Sequence, residues 1–80
     1  MVLKLLRLPA VNIRSGRSRS ATYNDIAEGL LTKPVSIGAR AVAWPEHEID
    51  AILAARIAGR SPDEIRELVI KLEAARKIDF

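Results

Sequence analysis

The stretch Arg14-Ser15-Gly16-Arg17-Ser18-Arg19-Ser20-Ala21-Thr22-Tyr23-Asn24-Asp25-Ile26-Ala27-Glu28 decides how the chain is read. Gly16 is a turn residue, and Ser18 is placed to cap a helix whose first turn is Arg19, Ser20 and Ala21. Arg14, Arg17 and Arg19 fall within six residues, with no acid before Asp25. A helix start of this kind presents free backbone N–H groups and the positive end of the helix dipole, both suited to a phosphate oxygen. Ser, Thr, Tyr and Asn side chains on the same helix can reach phosphates or base edges. Two readings stand together here: the second helix of a helix-turn-helix, and a basic surface loop running into an ordinary capped helix.

Upstream, Val2 to Leu8 alternates loosely and reads as a short strand or an extended lead-in. Pro9 suits the first turn of a helix, where its missing N–H costs nothing. Ala10 to Ser15 then makes about two turns, stopped by Gly16, with Val11 the core candidate ahead of Ile13. In the second helix, Tyr23, Ile26 and Ala27 are spaced i, i+3, i+4 and are expected to face inward, leaving Thr22 and Asn24 outward. Gly29 ends it.

Downstream, Lys33-Pro34-Val35-Ser36-Ile37 and Arg40-Ala41-Val42-Ala43-Trp44 both alternate around Gly38-Ala39. This predicts a β-hairpin with a type II′ turn, Val35 and Ile37 sharing a face with Val42 and Trp44. A hairpin directly after a helix-turn-helix is a wing, and Lys33 and Arg40 would lie on or near it. Pro45 opens a third helix, Glu46 to about Ala58, with Ile49, Ile52, Leu53 and Ile57 as its apolar stripe. Gly59 breaks it. Ser61-Pro62-Asp63-Glu64 is a capping box with proline at the first helical position. The fourth helix runs to about Lys77 with Ile65, Leu68, Val69 and Leu72 on one face; Ile70 lies off that stripe, and Ile78 and Phe80 are unassigned.

Eighty residues make one small domain. A hydrophobic fraction of 49% with 29% charged residues describes an ordinary globular chain. With one Trp, one Tyr and one Phe, the core must come from Leu, Ile, Val and Ala. The absence of Cys excludes disulfides and thiolate metal sites and fits a reducing compartment. Apolar runs are too short to span a membrane, and the opening residues are too short and too early-charged for a signal peptide. The net charge of +3 is unevenly spread. Residues 1–44 hold seven basic groups against two acids, and residues 45–80 six against eight. A basic front half suggests a polyanion-facing end.

These residues resemble a known family. Leu6-Arg7-Leu8-Pro9, Ser15-Gly16, Ser18-Arg19-Ser20 and Tyr23 are similar to the opening of AlpA-like prophage regulators. Lys33-Pro34-Val35, Gly38, Arg40-Ala41-Val42 and Trp44 resemble that family's wing, and Glu48-Ile49 the start of its next helix. The likeness covers roughly residues 5–58; residues 61–80 have no counterpart in it. It implies a winged helix-turn-helix of the kind shared with MerR-type regulators and excisionases. By position, Ser18, Arg19, Ser20 and Tyr23 become recognition-helix residues, with Lys33 and Arg40 in the wing. The chain departs from the family pattern at Arg17, Ala21, Thr22, Asn24 and Thr32, so the docking should be similar while the base sequence read is not inferable.

The expectation is therefore a mainly α fold with a small β-hairpin: a winged helix-turn-helix over residues 1–60 and a C-terminal helical extension over 61–80. The expected function is sequence-specific DNA binding in a prophage or integrative element, regulating integrase or excision genes or acting as a recombination directionality factor. Candidate DNA contacts are Arg14, Arg17, Ser18, Arg19, Ser20, Thr22, Tyr23, Asn24, Lys33 and Arg40. Candidate self-association residues are Ile65, Leu68, Val69 and Leu72. Expected partners are double-stranded DNA, further copies of the chain and an integrase, in the bacterial cytoplasm at the nucleoid, without a membrane. No cofactor, metal site or catalytic residue is expected: His47 between Glu46 and Glu48 builds no metal site, because adjacent helical residues point apart. The rival from another class is a protein-interaction module working through the last helix.

Overall fold

Pro9 sets where the first helix starts. In a computed structural model, which describes residues 3–78 and side chains as far as Arg76, α1 runs Leu8–Ser15 with Pro9 in its first turn. The expectations for Val2 and Phe80, and for the Ile78 side chain, fall outside what is described. Of the two readings open before α1, the strand is adopted: β1 is Leu5–Leu6. Gly16 ends α1 in the left-handed conformation, φ 68°. There the N–H of Gly16 returns to Ile13 O and that of Arg17 to Asn12 O, 3.4 and 3.1 Å away, the paired bonds of a Schellman end. The α2 helix, Arg19–Ala27, begins on the expected cap, the Ala21 N–H donating to Ser18 Oγ at 3.2 Å.

The wing is part of a three-stranded sheet in the order β1-β3-β2, with β2 Val35–Gly38 and β3 Ala41–Pro45. Its register differs from the expected one. Val35 lies opposite Ala43 and Ser36 opposite Val42, but Gly38 opposite Ala41, so Ile37 is an extra residue on its strand. The chain reverses at Ala39-Arg40 rather than Gly38-Ala39, and the left-handed residue is Arg40, φ 65°, whereas the expected type II′ turn would have put the positive φ at Gly38. A one-residue shift moves side chains to the opposite face. Val35 therefore faces with Ala43, and Val42 and Trp44 face with Leu6, which pairs with Trp44 across β1 and β3.

Two helices close the core. The α3 helix is Glu46–Ile57 and α4 is Pro62–Ile78. Both bonds of the capping box form: the Ser61 N–H donates to Glu64 Oε1 at 2.9 Å and the Glu64 N–H to Ser61 Oγ at 3.2 Å. Leu6, Val11, Leu31, Trp44, Ile49, Ile52, Ile65 and Val69 make up one core cluster, with Leu53, Leu68 and Leu72 packed against it. Each fully buried branched side chain of this kind stabilises the fold by about 1.5–3 kcal/mol. Ile57 is not in this core as expected, being 87% exposed. At 100° per residue, the arc centred between Ile49 and Ile52 has turned away by position 57 and takes in Glu48 instead, which is fully buried. Ile65 and Val69, expected between copies of the chain, are buried in the chain's own core, so α4 shares one core with residues 6–52.

Candidate nucleic-acid interface

A helix with one face in the core leaves a predictable set of residues outside, and for α2 that set is Arg19, Ser20, Tyr23, Asn24 and Ala27. They recur at i, i+1, i+4, i+5 and i+8, a continuous outward stripe. The Arg19 guanidinium lies over the Tyr23 ring, 5.9 Å from its centroid, so the arginine is held by a cation–π contact while its N–H groups stay available. Asn24 Nδ2 donates to Glu28 Oε2 at 3.3 Å, one turn on. Ser18 is occupied as the cap. The first amides of α2 have no carbonyl one turn back, which leaves the start of this stripe electropositive.

The inward face of α2 is set by Thr22 and Asp25, with Ile26 half-buried, and this corrects the expected orientation by one residue. Thr22 is 1% exposed, so it cannot be a DNA contact. Its hydroxyl donates to Asn12 Oδ1 on α1 at 2.6 Å. Tyr23, expected inward, is 41% exposed. Small polar groups can occupy the seam between α1 and α2 because each finds a partner there, whereas a tyrosine would hold the helices apart.

Two of the candidate arginines serve the protein itself. Arg17 Nε and Nη2 donate to Asp25 Oδ2 and Oδ1 at 3.1 and 2.8 Å. Arg56 of α3 reaches the same carboxylate, 3.4 Å from Oδ2. Arg14 points at α3, its Nη1 3.0 Å from Glu46 and 3.1 Å from Asp50, with Lys4 3.8 Å from Glu46. The Glu46 bond holds the Arg14 guanidinium above its ordinary value. Lys33 and Arg40 are both exposed, Lys33 at the root of the wing and Arg40 at its tip.

Several groups that organise the site carry no local sequence signal. Glu48 is fully buried and accepts from Arg76 Nε and Nη2 at 2.8 and 2.6 Å. These bonds raise the Arg76 pKa above its ordinary value. Trp44 Nε1 donates to the Thr32 carbonyl at 3.0 Å, which fixes the chain just ahead of Lys33. The Thr32 hydroxyl is buried without a hydrogen-bond partner among the described residues. No His, Cys, Asp or Glu cluster among the described residues is arranged to hold a metal ion. No helix among the described residues is long and apolar enough to cross a membrane.

The family described as Prophage CP4-57 regulatory protein (AlpA) matches residues 4–57, from β1 through the last residue of α3. The chain belongs to the AlpA family of prophage regulatory proteins. It is also 44% identical over 57 residues to the uncharacterized protein ORF88 of Enterobacteria phage P4, an alignment covering 71% of this chain and 65% of that relative. The chain thus spans less than two thirds of the relative's length. No solved structure matches it. The outward stripe of α2 and the wing lie within the AlpA match, and α4 lies beyond it.

Proposed function

We propose that the protein is a sequence-specific double-stranded DNA-binding regulator of a prophage or integrative element, acting on integrase or excision genes in the bacterial cytoplasm. The observation that carries this reading is the exposed α2 stripe of Arg19, Ser20, Tyr23 and Asn24, starting at a capped helix N-terminus. The stripe has the length and chemistry of a helix that enters a major groove, and Lys33 and Arg40 would neutralise phosphate beside it. Arg19, steadied by Tyr23, is the base- or phosphate-contacting arginine of this reading. Ser20 and Asn24 are the adaptable hydrogen-bonding groups.

A module of this size buries little DNA surface, so specificity requires several copies on one site. A recombination directionality factor uses the same surface; it differs from a transcriptional regulator in what lies next to the DNA it binds. An associated integrase belongs to either role.

The test is retardation of DNA from the gene's own upstream and attachment regions, titrated against salt and non-specific competitor. Specific binding gives a complex that survives competitor, with a log–log salt slope of about −0.9 per phosphate contact. Footprinting then separates the two roles. Binding that is equal for all sequences and vanishes with competitor overturns the reading.

A further inference from the structure

The root of the wing is gripped by a helix outside the AlpA match. The Lys33 N–H donates to Glu73 Oε2 at 2.8 Å, and the Lys33 carbonyl accepts from Arg76 Nη2 at 2.7 Å. Both side chains come from α4, so both hydrogen-bonding groups of one wing residue are held by one helix. Pro34 is then the single residue between this grip and β2. With φ fixed in Pro34, the direction in which β2 leaves the core follows from how the Lys33 backbone is set.

The grip is anchored deep in the protein. The same Arg76 makes its two bonds to Glu48, on α3 and fully buried. One planar guanidinium therefore joins a buried carboxylate of α3 to the backbone at the wing root. Lysine, a point charge with no fixed fork, cannot reproduce that geometry. On the far side, the indole of Trp44 bonds the preceding carbonyl, that of Thr32. The hairpin beyond has β2 at the sheet edge, paired with β3 alone.

We infer that α4 is a strut that aims the wing, with Arg76 and Glu73 as positioning residues for the wing's contact with DNA. This rests on the DNA-binding reading above. On it, α4 takes no direct part in DNA contact; it fixes where Lys33 and Arg40 stand relative to the α2 stripe.

Replacing Arg76 alone would leave Glu48 buried and unpaired, which is strongly destabilising. The variant of choice is therefore the double substitution Glu48→Met/Arg76→Met, since apolar replacement of a buried ion pair is often neutral to stability. Glu73→Ala is the second variant and removes the Lys33 N–H bond while leaving both Arg76–Glu48 hydrogen bonds in place, taking from Arg76 only the nearby charge of Glu73. Two measurements are made on the full chain: amide hydrogen exchange across residues 33–44, and the salt slope of DNA binding with and without Arg40→Ala. In the parent chain, Arg40→Ala should make the slope shallower by about 0.9, one phosphate contact. In Glu48→Met/Arg76→Met the slope should already be shallower, and adding Arg40→Ala should change it no further. The Lys33 amide should exchange about tenfold faster or more in Glu73→Ala, as for loss of a charge-assisted bond.

Unchanged exchange in both variants overturns the strut. Faster exchange with a full Arg40→Ala effect in the double variant overturns its link to DNA, as does an Arg40→Ala effect missing from the parent. Should the double variant fail to fold, Glu73→Ala carries the same two readouts. A parent chain that binds no DNA brings down the DNA reading itself, and the exchange data then decide the strut alone.

Discussion

Arg17 and Asp25 meet in a bidentate pair that closes the turn between α1 and α2 onto the inner side of α2. The carboxylate is 7% exposed and the arginine 39%, so the pair straddles the boundary between core and surface. Because Arg56 reaches the same oxygen from α3, one acid ties three elements together. Arg17, just ahead of the Ser18 cap, is therefore structural in two of its bonds, and Arg19 is the one left to face outward.

Asp25→Asn should destabilise the fold by about 1–3 kcal/mol, since it removes charge-assisted bonds and leaves two arginines facing a neutral group. Urea denaturation should show a lower midpoint at an unchanged slope. An unaltered midpoint would mean that the pair contributes nothing.

Arg19→Ala and Thr22→Val should separate recognition from stability. Arg19 is exposed, so its loss should change stability by less than about 0.5 kcal/mol while weakening DNA binding about tenfold. Thr22→Val leaves Asn12 without its donor and should cost about 1–2 kcal/mol, with DNA affinity unchanged in the folded protein. Thermal unfolding and gel retardation on both variants check the contrast, and a reversed pattern would refute the assigned orientation of α2.

Arg40→Gly should act in opposite directions on the two properties. The left-handed conformation costs a residue with a Cβ about 1–2 kcal/mol, so glycine at φ 65° should raise the melting temperature. Loss of the cation should at the same time make the salt slope of DNA binding shallower. A lower melting temperature would show that the arginine side chain supports the hairpin.

The start of α4 should respond to acid. The Ser61 N–H and hydroxyl hold the Glu64 carboxyl below its ordinary value. A carboxyl lowered in the folded state stabilises the helix fully above its unfolded pKa, and that contribution fades as pH falls through the carboxylate range towards the folded value. Amide shifts of residues 61–64 should follow this titration, and Ser61→Ala, which keeps the backbone N–H but loses the hydroxyl, should lessen the lowering of the Glu64 carboxyl without abolishing it, while costing about 1 kcal/mol. A Glu64 titration unaffected by Ser61→Ala would count against the cap.

Local chemistry made the helices and the wing legible in the sequence. Ser18, Gly16 and Ser61 act through bonds to residues two to four away, so their signals survive without knowledge of the fold. Faces and registers were harder. Thr22 lies inward because Asn12, ten residues back, supplies a partner. The hairpin register turns on one extra residue, Ile37, whose alternation looked regular. Ile57 fits the spacing of its stripe yet lies past the arc that the neighbouring elements cover. Glu48 carries no local signal for burial, and only the arrival of Arg76 from 28 residues away explains it. Of the outward stripe, Arg19 and Ser20 are readable from their place beside the cap, whereas the expectation that set Asn24 outward also set Tyr23 inward and Thr22 outward, which the structure reverses. Arg14 and Arg17 were read as free cations because the acids that hold them come from other turns and helices.

Leu6 near one end and Val69 near the other belong to a single core cluster, and β1 pairs with residues on β3 rather than with a near neighbour. Small domains with one core unfold as a unit. A premature stop or a proteolytic cut between these points therefore leaves no fragment able to hold α2 and its wing together. On the proposed DNA-binding reading, shortened products would therefore not compete with the intact chain for DNA.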